Sequence, residues 1–166
     1  MRLRTLIAIS LLLAAAQTAA AQKQIGSFVL VEETDPVTDH NRSFVFTTAV
    51  DGGHLATAAL VWRCDDERLE LLVKADEYLD DDDVMVQWRF DSHPPSEARW
   101  WNPSTSGTAA FAPKEDMRLF TAEALRAREV VVRLWDYRSS RITYRFRLDG
   151  LAASLRRLPC VPTSAS

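Results

Sequence analysis

From residue 26 onward the chain alternates apolar and polar positions with a period of two, interrupted at short intervals by Gly, Pro, Asp and Ser. The clearest stretch is VMVQWRF at 84–90, which puts Val84, Val86, Trp88 and Phe90 on one face and Met85, Gln87 and Arg89 on the other. RITYRFRL at 141–148 repeats the pattern, with Ile142, Tyr144, Phe146 and Leu148 opposed to Arg141, Thr143, Arg145 and Arg147. Such alternation predicts strands with one buried and one solvated face. RLELLVK (68–74) and EVVVRLWDY (129–137) are apolar, β-branched runs of strand length, and ATAALVWRC (56–64) predicts a strand ending at Cys64. Residues 43–50 predict another, and 26–33 a first one. TDPVTD, DGG, DDE, DSHPP, NPSTSG and DYRSS supply turn chemistry between them.

Two segments change period. PKEDMRLFTAEALRA (113–127) has Pro113 at its start and Glu115 and Asp116 in its first turn. Met117, Phe120 and Ala124 fall on one helical face, with Leu125 at its edge. DGLAASLRRL (149–158) predicts a second short helix, with Asp149 as its N-cap and Leu151, Leu155 and Leu158 on one stripe before Pro159. Successive strands with two late helices predict a mainly β fold, an antiparallel β-sandwich or open barrel.

The first 21 residues do not follow this pattern. Arg2 and Arg4 precede the apolar LIAISLLLAAA, and Ala19 and Ala21 stand at the −3 and −1 positions before Gln22. That is the layout of a cleaved export signal over 1–21, and its apolar stretch is short for a membrane span. The expectation is an exported protein, periplasmic or extracellular, with one β-rich domain over 22–160, a loose tail over 161–166 and no membrane span once the signal is removed. A formal net charge of −3, more negative still without Arg2 and Arg4, speaks against nucleic acid as a partner. Two cysteines, Cys64 and Cys160, in an oxidising compartment favour a disulfide over two buried thiols.

Candidate chemistry is sparse. YLDDDD (78–83) has four adjacent aspartates without the alternation, internal glycine or bidentate Glu of a calcium loop. A solvated hairpin turn is the expected reading, with weak cation binding as the alternative. Solvated carboxylates are also poor general acids. His40, His54 and His93 all sit beside turns, and neither a nucleophile elbow, a zinc motif nor a phosphate loop is present. The expectation is a protein without enzymatic activity, cofactor or metal. For binding, Trp100 and Trp101 in RWWNPSTSGTAAF are candidates, since neighbouring strand residues face opposite ways and one indole must leave the core; the expected reading is that neighbouring side chains or the first helix cover that indole. A basic stripe of Arg141, Arg145 and Arg147, joined by Arg133 if the last two strands pair, is a second candidate surface, with a solvated face neutralised by cross-strand carboxylates as the expected reading.

The order of these features, TDPVTDHNRSFVF, LVWRC, LELLVKADEYLDDD, VMVQWRFD, RWWNPSTSGTAAF and a terminal GLAASLRRLPC, resembles the VasI-type family of type VI secretion-associated proteins across residues 26–160. The resemblance implies an envelope accessory protein with an envelope protein as partner and no catalytic residue to carry over. Cys64 and Cys160 match the family's cysteine pair, and Trp101, Ser104 and Phe111 match its tryptophan region. The aspartate run falls where the family has a turn. The chain departs from the family after Cys160, where VPTSAS replaces an aromatic. The alternative expectation is an envelope domain that binds a glycan or another small ligand through the same tryptophans.

Overall fold

The computed structural model describes residues 22–50 and 58–161. The expected export signal over 1–21, the expected turn at DGG, His54 and the expected loose tail beyond Val161 lie outside the described residues. Strands form at β1 (Gln22–Ile25), β2 (Phe28–Val31), β3 (Phe44–Thr48), β4 (Ala59–Asp65), β5 (Arg68–Lys74), β6 (Val84–Phe90), β7 (Arg99–Pro103), β8 (Ala109–Phe111), β9 (Glu129–Trp135) and β10 (Arg141–Arg147). The helices are α1 (Lys114–Ala124), between β8 and β9, and α2 (Leu151–Leu155). All pairings are antiparallel, in the order β1-β2-β3-β4-β5-β8-β7-β6-β9-β10, an open series with no closure into a barrel.

The series folds over on itself into a sandwich-like arrangement, with β7 at the fold. Trp101 of β7 pairs with Val84 of β6, while the next residues, Asn102 and Pro103, pair with Phe111 and Ala110 of β8. The expected inward sets meet in one core, where Val84, Val86, Trp88 and Phe90 of β6 are all buried with Trp62 of β4 and Phe146 of β10. Burial of this alternating set is the main source of stability.

The first strand differs from the sequence expectation. Residues 22–31 make a hairpin whose two-residue turn is Gly26-Ser27, with Ile25 opposite Phe28. Gly26 has φ +60°, and a Cβ there would meet the Asp149 carbonyl oxygen at 2.4 Å. Asp149 accordingly serves this turn. Its carbonyl accepts from Ser27 N at 2.9 Å, and its carboxylate from Ser27 Oγ at 2.5 Å. It therefore does not cap α2, which follows Gly150 at φ +90° without a side-chain cap. The C-terminal helix is thus seated on the N-terminal hairpin, and the Cys64–Cys160 disulfide, closing a separation of 96 residues, fixes its far end to β4.

Candidate binding site

The Trp-Trp pair lies on β7, and α1 decides which ring goes in. Trp101 is fully buried, and its indole N–H donates to Asp116 Oδ2 of α1 at 3.1 Å. Asp116, itself buried, also pairs with Arg99 at 3.4 Å, so an apparent first-turn acid is an internal acceptor. Trp62 donates in the same way to Thr121 Oγ1 at 2.9 Å. Between these two clamps, Phe120 inserts among Trp62, Trp88, Phe90 and Trp101 with ring centroids 4.9–6.2 Å apart.

Trp101 therefore packs the core and presents no binding surface. Ser104 is committed to its own turn, where its hydroxyl accepts the N–H groups of Thr108 and Ala109. Phe111 is half-buried beneath the Arg63 guanidinium, 4.7 Å from its ring centroid. Of the four tryptophan-region candidates, Trp100 alone is open to solvent, at 58% exposure.

The aspartate run is a turn, but it does not close a hairpin. It carries the chain from β5 to β6, which pair with different neighbours: β5 with β4 and β8, β6 with β7 and β9. Asp80 Oδ1 accepts the N–H groups of Asp81 and Asp82 at 2.8 and 3.2 Å, so one carboxylate builds the turn and leaves the others outside it. Among the described residues, no Lys or Arg pairs with the run, and no group of acids and histidines is arranged to hold a metal. Asp81, Asp82 and Asp83 instead line one side of an open cleft of about 520 Å³, and Trp100 and Pro103 line the rest.

Beside the same run, Tyr78 meets Tyr137 edge to face at 5.5 Å, and both rings are about half exposed. Partial burial, followed by a hydrogen bond to Asp81 and the neighbouring aspartate charges, raises the Tyr78 phenol above its ordinary pKa. Gly107 makes room for this ring. It has φ +64°, and a Cβ there would lie 2.3 Å from a Tyr78 ring carbon. Leu79 N donates to Gly107 O and Tyr137 N donates to Leu79 O, tying three loops together. Tyr78, Trp100 and Tyr137, the exposed aromatics of the described residues, thus all gather around the aspartates. Sequence reasoning missed the two tyrosines, since nothing local to 78 or 137 shows that their loops meet.

No protein-family model matches the chain, and no curated protein matches it. Among solved structures, the fold is similar to the crystal structure of invasion associated protein B from Bartonella henselae. The TM-score is 0.58 over 83% of this chain and 95% of that one, at 9% sequence identity. At that identity the likeness establishes a shared fold.

β9 and β10 pair, so Arg133 joins Arg141, Arg145 and Arg147 on the outer face of the sheet. On the core side, the buried Tyr144 hydroxyl donates to the Asp76 carboxylate, and burial together with this bond pushes the phenol well above its ordinary pKa. His40 pairs with Asp66 at 3.2 Å beside the disulfide, and His93 stays in its turn.

Proposed function

We propose that the chain is an exported envelope accessory protein without catalysis of its own, periplasmic or extracellular, and that it recognises another envelope protein through the aromatic and acidic end around Trp100. The observation that carries this reading is an indole 58% exposed in a cleft whose other wall is three carboxylates without cationic partners among the described residues. A large ring held open to solvent at the end of a strand is a strong anchor for a partner. Carboxylates beside it favour a basic segment, whose Arg or Lys would stack on the ring while pairing with the acids. The export pattern of residues 1–21 and the Cys64–Cys160 bridge support the compartment. Association with a type VI secretion machine rests on the resemblance of residue order to the VasI-type family.

A photo-crosslinking residue at position 100, used in living cells and read by mass spectrometry, tests the reading. The expected result is a defined envelope protein captured through a basic segment and weakened by salt. Trp100→Ala should abolish binding while leaving folding stability within about 0.5 kcal/mol. Capture no greater than from a crosslinker at Leu119 would overturn the proposal. The second reading, a glycan ligand, is favoured by the combination of a flat ring and carboxylate acceptors. Saccharide-dependent quenching of Trp100 fluorescence with no protein captured would select it.

A further inference from the structure

The outer face of β6, β9 and β10 carries a second surface of opposite sign. The registers place Val131 between Arg89 and Arg145, and Arg133 between Gln87 and Thr143. Arg141 and Arg147 continue the face along β10. A single carboxylate, Glu129, stands on this face of the three strands, and it is taken by Arg145 at 2.7 Å. Among the described residues, the guanidinium groups of Arg89 and Arg133 make no ion pair. Moreover, Arg133 Nε is shielded from water and has no hydrogen-bond acceptor among the described residues.

These two arginines border a cleft of about 210 Å³, completed by Gln87, Trp88, Pro95 and Val131. Its wall is fixed. Ser96 N donates to Trp88 O at 2.8 Å, Trp88 N donates to Ser96 Oγ at 3.0 Å, and Gln87 Nε2 donates to Ser96 O at 2.9 Å. The segment carrying Pro95 is thereby held along β6. Two planar guanidinium forks beside a small apolar floor fit a compact anion with several acceptor oxygens. A phosphate monoester brings up to two negative charges for the two unpaired cations, whereas a lone carboxylate brings one.

We propose that the cleft between Arg89 and Arg133 is a binding site for a phosphate group borne on a sugar or a lipid headgroup. It lies across β6 from Trp100 and stands independently of the partner reading above. The test follows the arginine Nε–H signals of the full mature chain by NMR at constant ionic strength. Inorganic phosphate is titrated first, with chloride as the control. Saturable shifts at Arg89 and Arg133 are expected, weakened about tenfold or more by Arg89→Gln or Arg133→Gln. Arg133→Lys, which keeps the charge without the fork, should fall between, and Trp100→Ala should bind as the parent does.

Sedimentation with phosphatidylcholine vesicles, with and without phosphatidic acid, then separates the sources. Retention on the phosphatidic acid vesicles, lost in Arg133→Gln, assigns a lipid headgroup. Phosphate binding without vesicle retention assigns a soluble phosphorylated compound. No saturable shift, an equal shift with chloride, or full affinity in a folded Arg133→Gln protein would overturn the site.

Discussion

Replacing Phe120 by Ala tests whether α1 is seated by its aromatic cluster. The side chain is fully buried, and its ring contacts four others at 4.9–6.2 Å. Phe→Ala in a core costs about 3–5 kcal/mol, and the value depends on how far the surroundings collapse into the space. Collapse is restricted here. Trp62 is held by Thr121 and Trp101 by Asp116, so two of the four rings cannot tilt inward without losing a hydrogen bond. The upper half of that range is therefore expected, a fall in Tm of about 10–15 °C for a domain of this size. Urea unfolding monitored by tryptophan fluorescence gives the free energy directly, because Trp62, Trp88 and Trp101 surround the ring. Leu119→Ala on the adjacent, 44% exposed position is the control and should shift stability by about 0.5 kcal/mol or less. A Phe120→Ala loss below about 1 kcal/mol, or one equal to the control, would refute the claim that the ring is the keystone of the helix.

Further outcomes follow from the same geometry. Converting both Cys64 and Cys160 to Ser should lower stability by about 4–5 kcal/mol, the chain-entropy value for a loop approaching 100 residues, and urea curves of the wild type with and without reductant should reproduce the gap. Tyr144 has a folded pKa raised above its ordinary value of 10.0, so the native state holds the proton more tightly than the unfolded one. Its contribution is complete below about pH 10 and is lost as pH rises above it, and Tyr144→Phe should flatten the alkaline fall of the urea midpoint. Gly107→Ala forces a side chain into φ +64° and against the Tyr78 ring. A loss of about 1–3 kcal/mol is expected, with displacement of the Tyr78 ring signals in NMR spectra and weaker capture by the crosslinker at Trp100.

The strands and their faces were legible because burial of one face writes itself into the sequence with period two. Val84, Val86, Trp88 and Phe90 needed no knowledge of any partner. Strand pairing was less legible, since the pattern fixes which side is buried but not which strand lies alongside. The aspartate run therefore reads correctly as a turn and incorrectly as a hairpin turn. β8 has three residues, two of them Ala, and carries no periodic signal. The Gly26-Ser27 turn was visible in principle, as a two-residue Gly-X hairpin signal flanked by apolar runs. Asp149 was misread as a helix cap because its real partner, Ser27, lies 122 residues away. The candidate site divides in the same way. That one indole must leave the core follows from alternation alone, but which one is settled by Asp116. The gathering of Tyr78, Trp100 and Tyr137 depends on three loops meeting.

The disulfide also sets how the folded chain carries load. Tension between β1 and the residues after Cys160 runs along the backbone to Cys64, crosses the sulfur–sulfur bond and leaves at Cys160. Only β1 to β4 lie on that path. β5 to β10 and both helices, with the Trp100 cleft and the arginine face among them, lie in the loop that the bridge closes. While it holds, the covalent load bypasses them, and pull from the ends reaches them only through noncovalent contacts such as the β4–β5 pairing and the Ser27–Asp149 bonds. Forced unfolding, governed by the rate at which the loaded part gives way, would peel the N-terminal strands and then stop. The covalent path between the two ends of the domain thereby bypasses the Trp100 cleft and the arginine face.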